Sequence, residues 1–493
     1  PRMAAAEGKM SVLYQQPRNL AQIIAWWRAP SGYRDVLAIA GPLVLSTASM
    51  TIQQFVDRMF LAWYSPDALA ASLPASLLSF TVLCFFLGTV SYTNTFVAQY
   101  HGAGQPHNVA RSVWQAVFFA LFAAIAVLGF VPLAEPIFRA AGHAPEVQRQ
   151  EVIYFRILVA GGGLAILSSA LSAFFTGLGK TRTVMWANLA ATLVNVVLDY
   201  ALIFGHFGLP RWGIKGAAIA TVAASASGML ILLALFLNRE HRRTYGTLTS
   251  FGFDIDIFRR LMRYGAPSGV QFTLDLVAFT LFVLFVGRIG VLELGATNLA
   301  FQVNTLAFLP MIGFSIATST LVGQRLGENR PVLAVRSTWA SLHLTSAYMG
   351  LMAILYVLVP EVFLAPFQAG ADPSGFREMR ETAVIILRFV ALYSLFDAMN
   401  LILASALKGA GDTLFVMLLS TSLGLTLMVI PTWLVCRPGS ANLYLAWAFL
   451  TLYVIVLAFS FLARFRHGAW REMRVIGTAE TPEPAPRQAA AGG

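Results

Sequence analysis

Read for its apolar and polar positions, the chain is a series of long hydrophobic stretches divided by short polar breaks. Twelve stretches stand out, at 36–63, 69–99, 113–138, 152–175, 183–205, 214–237, 262–288, 293–324, 338–365, 382–407, 414–436 and 441–463. Residues 35–466 shared among twelve leave about 36 residues for each helix and its loop, enough to cross a hydrocarbon layer of ~30 Å. The pattern therefore predicts an all-α polytopic membrane protein with twelve transmembrane helices. Residues 1–34 form a peripheral N-terminal arm, with an interfacial helix predicted over Met10–Trp27 and with Trp26 and Trp27 at headgroup level. The arm is not a cleavable signal, because its charged part is long and the first apolar run continues into a full span. Residues 467–493, rich in Ala, Pro, Glu and Thr beyond Trp470, are expected to be a disordered tail.

Composition excludes the alternatives to a membrane protein. Of 493 residues, 57% are hydrophobic and 12% charged. That is about half the charged share of a soluble protein, too little to cover a wetted surface or to keep a chain disordered. Only two cysteines are present, so Cys84 and Cys436 read as packing residues rather than a disulfide framework. The net charge of +11 does not call for a nucleic-acid partner. Of 34 Lys and Arg, 23 fall on the side of the two termini and nine on the other, with Arg58 and Arg156 inside spans. That bias places both termini in the cytoplasm of a plasma membrane, a bacterial inner membrane being expected.

The chain is internally doubled. Pro42 recurs as Pro267, an offset of 225. Val97, Gln99 and Gly102 recur at the same offset as Val322, Gln324 and Gly327, and Arg111-Ser112-x-Trp114 as Arg336-Ser337-x-Trp339. Gly177-x-Gly179-Lys180-Thr181 is echoed by Gly409-x-Gly411-Asp412-Thr413 at an offset of 232. Six spans fit within the offset, and an even number gives both copies the same direction, related by a pseudo-twofold along the membrane normal. The result is two pseudo-symmetric six-helix lobes, an N-lobe at 35–237 and a C-lobe at 264–466, joined by a basic cytoplasmic linker at 238–263. A substrate site belongs in the cleft between them.

Acids inside spans are the strongest functional signal, because a carboxylate in hydrocarbon costs several kcal/mol unless water, a cation or a proton relieves it. There are four: Asp57 in span 1, Asp199 in span 5, Asp275 in span 7 and Asp397 in span 10. Asn195 and Asp199 share a helix face, suiting a proton relay or a hard cation such as Na⁺. Asp57 offers a second carboxylate, and two like charges side by side favour uptake of a positive one. Thr221 of span 6 adds a hydroxyl. In span 10, Tyr393 lies one turn before Asp397 and offers either a hydrogen bond to the acid or its ring to a cation. Asn188, Gln302 and Asn304 read as interhelical hydrogen-bonding residues. Pro42 and Pro267 each remove a backbone hydrogen bond and permit a bend in spans 1 and 7. Gly409-Ala410-Gly411-Asp412 matches the GxGD pattern of intramembrane aspartyl proteases, but Asp412 falls in a predicted cytoplasmic turn and its repeat partner is Lys180. With no HExxH, GxSxG or Walker A motif, the chain reads as a secondary transporter driven by an ion gradient, not an enzyme, with no cofactor and no transition-metal site.

Together these residues resemble the multidrug and toxic compound extrusion (MATE) family over about 35–465, its NorM-type members in particular. Gly41-Pro42-Leu43 followed by Asp57 is similar to that family's opening helix. Asn195-Val-Val-Leu-Asp199, continuing to Gly216-Ala-Ala-Ile-Ala-Thr221, resembles its helix 5–6 signature. Val97-Ala-Gln-Tyr-His-Gly102, Val322-Gly-Gln-Arg-Leu-Gly327 and Leu407-Lys-Gly-Ala-Gly-Asp-Thr413 resemble its loop motifs. The resemblance implies a V-shaped bundle and antiport of organic, often cationic, compounds against H⁺ or Na⁺. A monomer is expected, with membrane lipid as its other partner. It implies an N-lobe ion site at Asp57, Asn195, Asp199 and Thr221. It implies a C-lobe ion or substrate site at Asp275, Tyr393 and Asp397. Asp275 stands where NorM-type members usually carry Glu, and Asp199 where they often lack an acid, so two ion sites are expected and the coupling one is left open. The alternative, a lipid-linked oligosaccharide flippase of the same superfamily, would want a basic cavity and fourteen spans.

Overall fold

The computed structural model describes residues 20–367, 373–437 and 441–477. Twelve helices are long and apolar enough to cross a membrane: α1 (Tyr33–Tyr64), α2 (Pro66–Gly102), α3 (Pro106–Ala141), α4 (Pro145–Gly177), α5 (Thr181–Phe204), α6 (Ile214–Phe236), α7 (Ile255–Val286), α8 (Val291–Gly327), α9 (Pro331–Leu358), α10 (Arg377–Ala410), α11 (Thr413–Val435) and α12 (Leu443–His467). Four of them, α3, α4, α7 and α9, begin seven residues before their apolar runs do. Their first turns are polar, and hydropathy cannot see those turns. The start is set instead by Pro at the first helical positions of α3, α4 and α9, and by Asp254 in α7, whose carboxylate accepts from the amides of Asp256 and Ile257.

The helices pack as two six-helix lobes, each with its own main core, and a smaller cluster of Tyr33, Val36, Leu321 and Ala340 bridges them. The N-lobe core holds Phe96, Phe155, Phe174 and Phe236, and the C-lobe cores hold Phe282, Trp447 and Phe461. The pseudo-twofold shows in the contacts between the lobes. A Cβ on Gly88 of α2 would lie 2.8 Å from the backbone of Gly269 in α7, and one on Gly313 of α8 would lie 2.9 Å from the backbone of Val44 in α1. Close approach of the backbones, which small residues permit, holds the lobes together near the middle of the helices.

Toward the face that carries both described chain ends, the termini face, repeat partners exchange hydrogen bonds across the axis. Asn94 Nδ2 donates to Thr320 Oγ1 at 3.1 Å, and Thr95 Oγ1 meets Ser319 Oγ at 3.3 Å. Gln99 Nε2 donates to the Gly409 carbonyl at 3.0 Å, and its repeat Gln324 donates to the Gly177 carbonyl at 2.8 Å. A Cβ on Gly102 would sit 2.1 Å from the Gln324 carbonyl oxygen, and one on Gly327 2.2 Å from that of Gln99. Among the described residues, hydrogen bonds and ring contacts between the lobes run from mid-helix, as in Phe80 against Phe272, to this face. The cleft is therefore sealed at the termini face and parted at the opposite, far side.

Three peripheral segments depart from expectation. The expected interfacial helix is a helix over Leu20–Arg28, its earlier part lying outside the described residues. Trp27 is exposed, whereas Trp26 packs on His343 of α9. The linker that joins the lobes is docked on the N-lobe, where Trp114 Nε1 donates to Thr247 O and Gln115 Nε2 to Gly252 O, and its residues from Ile255 already belong to α7. The expected disordered tail is corrected over 468–477. Trp470 is buried and stacked on Phe465, and Val475 is buried in the N-lobe core with its amide donating to Gln99 Oε1 at 2.9 Å. A few apolar side chains in a polar context are too faint for composition to register, yet they strap one lobe to the other. Residues 478–493 lie outside the described residues.

Candidate functional site

The N-lobe site grows out of a polar seam between α1 and α5. Residues 46, 49, 53 and 57 of α1 recur at helical spacing and share one face. Residues 188, 192, 195 and 199 of α5 do the same. Near the termini face, Asn188 Nδ2 donates to Ser46 Oγ at 2.6 Å. Next along the seam, Ser49 Oγ donates to Thr192 Oγ1 at 2.8 Å, and Thr192 reaches Gln53 Oε1 at 3.4 Å. The seam ends toward the far side at Asp57 and Asp199, whose carboxyls lie near enough for each to act on the other.

This end of the seam is incomplete by itself. Asp199 and Asn195 are 0% exposed and Asp57 is 8% exposed. Both Asp199 oxygens, Asp57 Oδ1 and both polar atoms of Asn195 lack a well-formed hydrogen bond, although the Asn195 amide stands near enough to Asp199 to act on it. Arg58 is exposed and influences Asp57 through space without forming an ion pair. Two adjacent buried carboxylates with no cationic partner are costly in a dry interior, and a shared proton or a bound cation would relieve that cost. The expected contribution of Thr221 takes another form, because its hydroxyl donates to the Ala217 carbonyl of its own helix at 3.0 Å. Sequence reading missed Tyr154 of α4, which is buried and near enough to both acids for their charges to act on it. A tyrosine among many aromatic packing residues carries no signal of its own.

The C-lobe is built differently. Asp275 and Asp397 are half-buried, and Tyr453 of α12 lies within electrostatic range of both. Tyr453 packs beside Gly424, the first residue of a π-helical stretch, Gly424–Val429, inside α11. Pro431 follows that stretch and has no N–H for the α-helical ladder, which favours the altered winding. The Tyr393 hydroxyl accepts from Asn304 Nδ2 at 3.3 Å, tying α10 to α8. Asn188 and Asn304 are thus interhelical links as expected, whereas Gln302 is exposed.

Lys408 does not behave as a loop residue. It counts by sequence with the loops of the termini face, but its side chain turns into the lobe, where Nζ donates to Gln271 Oε1 at 3.2 Å. Gln271 Nε2 donates in turn to Asp275 Oδ2 at 3.3 Å and to Ser420 Oγ at 3.4 Å. Asp412 of the GxGD pattern, by contrast, is spent on Arg464 Nε at 2.7 Å, at the termini-face end of α11. Pro42 and Pro267 lie inside α1 and α7, both of which run unbroken through them. Among the described residues no group of three or more His, Cys, Asp or Glu forms a metal cluster.

Two segments of the chain, 42–201 and 267–433, match the MatE family model, each beginning at one of the repeated prolines. The chain is 30% identical over 389 residues to the probable multidrug resistance protein NorM of Pseudomonas putida, covering 77% of this chain and 82% of that one. It is 29% identical over 390 residues to the protein of the same name from Brucella suis, covering 78% and 82%. Among solved structures, the fold is similar to an outward-facing multidrug resistance MATE family transporter of the MOP superfamily. The TM-score is 0.81 at 18% identity, over 93% of this chain and all of that one. A MOP superfamily transporter from Pyrococcus furiosus gives the same values.

Proposed function

This chain belongs to the MatE family, and on that premise we propose that it is a multidrug efflux transporter working as a cation-coupled antiporter of organic, often cationic, compounds. One observation carries the coupling: the buried Asp57–Asp199 pair has no ion-pair partner, only the Asn195 amide standing near Asp199. H⁺ or Na⁺, as the transported counter-ion, completes it.

The basic bias of the loops supports a cytoplasmic termini face in a plasma membrane, and the inter-lobe seal then makes this the outward-open state. The counter-ion enters from the far side and neutralises the pair. A neutral pair no longer needs water or an external charge, so α1 is free to shift against α5. Pro42 supplies the weak point, since the Ala38 carbonyl receives no N–H there. Narrowing of the cleft expels the drug outward. Coupling follows if ion and drug prefer different states, and membrane potential contributes ~2.3 kcal/mol per charge per 100 mV. The flippase reading gains nothing, because Lys408 alone does not give the basic cavity that phosphates would want.

The test is a proteoliposome assay in which a pH gradient and a Na⁺ gradient are imposed in turn while ethidium is followed. Ethidium movement under at least one gradient is expected, with loss in Asp199→Asn. Lipid scrambling without cation movement overturns the proposal.

A further inference from the structure

We propose that Lys408 is a built-in counter-charge for Asp275, relayed by Gln271, so that Asp397 alone is the C-lobe carboxylate open to a visiting cation. The inference rests on the transporter reading above and adds a division of labour within the C-lobe.

The relay has a defined polarity. Gln271 points its oxygen at the Lys408 ammonium, 3.2 Å away, and its NH₂ at Asp275 Oδ2, 3.3 Å away, with Ser420 Oγ as a second acceptor at 3.4 Å. A reversed amide would set like against like at both ends, so the two charges hold Gln271 in one orientation. The amide thus links cation to carboxylate without direct contact, and positive and negative charge balance inside the lobe before any ligand arrives.

Lys408 is also fixed from outside its lobe. Its carbonyl accepts from the Tyr92 hydroxyl of α2 at 2.8 Å, and the next carbonyl, of Gly409, accepts from Gln99. The backbone of the residue that balances Asp275 is therefore anchored in the inter-lobe seal, which fixes the point from which its ammonium reaches Gln271.

Asp397 contrasts with this on the same helix. It is half-buried, and no described residue makes a hydrogen bond or an ion pair with it. A cation reaching the C-lobe meets a compensated acid at Asp275 and an uncompensated one at Asp397. Lys408 and Gln271 are positioning residues: they decide which carboxylate is available and touch no substrate.

The experiment is a charge-swap cycle on the full-length protein, reading ethidium binding by fluorescence anisotropy in detergent and ethidium transport (KM and maximal rate) in proteoliposomes. Removing Lys408's charge with K408Q should free Asp275 and tighten ethidium binding about tenfold, the scale of a strong site–site coupling. K408R should behave as wild type. D275N should leave the ammonium unbalanced and raise KM about tenfold, and D275N/K408Q, which removes both charges, should recover most of that loss. D397N should weaken ethidium binding about tenfold in the wild-type background and less where K408Q has freed Asp275. If D275N/K408Q stays as impaired as D275N, or if K408Q binds ethidium as wild type does, the inference is overturned. Wild-type protein that moves no cation under either gradient instead overturns the transporter reading. A K408Q protein that does not fold still leaves K408R and the charge-neutral double variant to decide.

Discussion

The two lobes arose from one pattern, yet they store their acids in opposite ways. In the N-lobe, Asp57 and Asp199 face each other at the end of a polar seam and form no ion pair, with Arg58 acting on Asp57 only through space. In the C-lobe, Asp275 has Lys408 behind Gln271, while Asp397 stands apart from both. The difference teaches that a duplicated scaffold preserves the seal between its halves more strictly than the charges inside them. The seal is shared by both copies, so a change on one side must be matched on the other. Each interior acid answers only to its own neighbours.

The comparison can be broken most decisively in the N-lobe. Asp199→Asn or Asp57→Asn should reduce gradient-driven ethidium transport to the level of empty liposomes, because one carboxylate of the pair is lost. Wild-type rates in both variants would remove the N-lobe from the mechanism. Next in size, Asp397→Asn should raise the KM for ethidium about tenfold, or ~1.4 kcal/mol, with the rate at saturation less affected. An unchanged KM would mean that the C-lobe does not bind the drug cation.

The seal offers a smaller and symmetrical test. Gly102→Ala and Gly327→Ala each force a methyl group onto a carbonyl oxygen of the other lobe, at 2.1 and 2.2 Å. Both should cost ~1–3 kcal/mol, read as a drop in thermal unfolding temperature. Clearly unequal drops would show that the pseudo-twofold does not extend to energetics.

The smallest effect concerns the linker, which has no counterpart in the C-lobe. His241 donates from Nδ1 to Leu235 O at 2.7 Å, and Lys180 Nζ lies 3.1 Å from Nε2. Burial, aided by that ammonium, holds the imidazole below its usual 6.5. An undocked linker regains the usual value and takes up the proton first. Docking is thus full above about pH 6.5 and weakens as pH falls below it. Fluorescence of Trp114, whose indole holds Thr247, should report the loosening, and His241→Phe should flatten the response.

The repeated motifs show how far a linear reading carries. Arg111-Ser112-x-Trp114 and its copy at 336–339 are recognisable as a pair, but their task is visible only in space. Trp114 grips the linker, whereas Arg336 reaches the Pro30 carbonyl and the Trp26 ring of the N-terminal arm. Each copy fastens whichever segment passes it. Gln99 and Gln324 were likewise legible as repeats, but not as donors reaching into the opposite lobe.

The amino-acid sequence by itself determined the twelve spans, the duplication and the short roster of intramembrane acids. Those properties are carried by hydropathy along the chain, by a constant offset and by the rarity of charge in oil. Tertiary structure alone decided that Asp57 meets Asp199, that Lys408 turns inward to balance Asp275, and that Val475 from one end of the chain is buried in the lobe built by the other. Each depends on how two helices are rotated against one another, and side-chain type records what a residue can bond, not which neighbour the packing will bring to it.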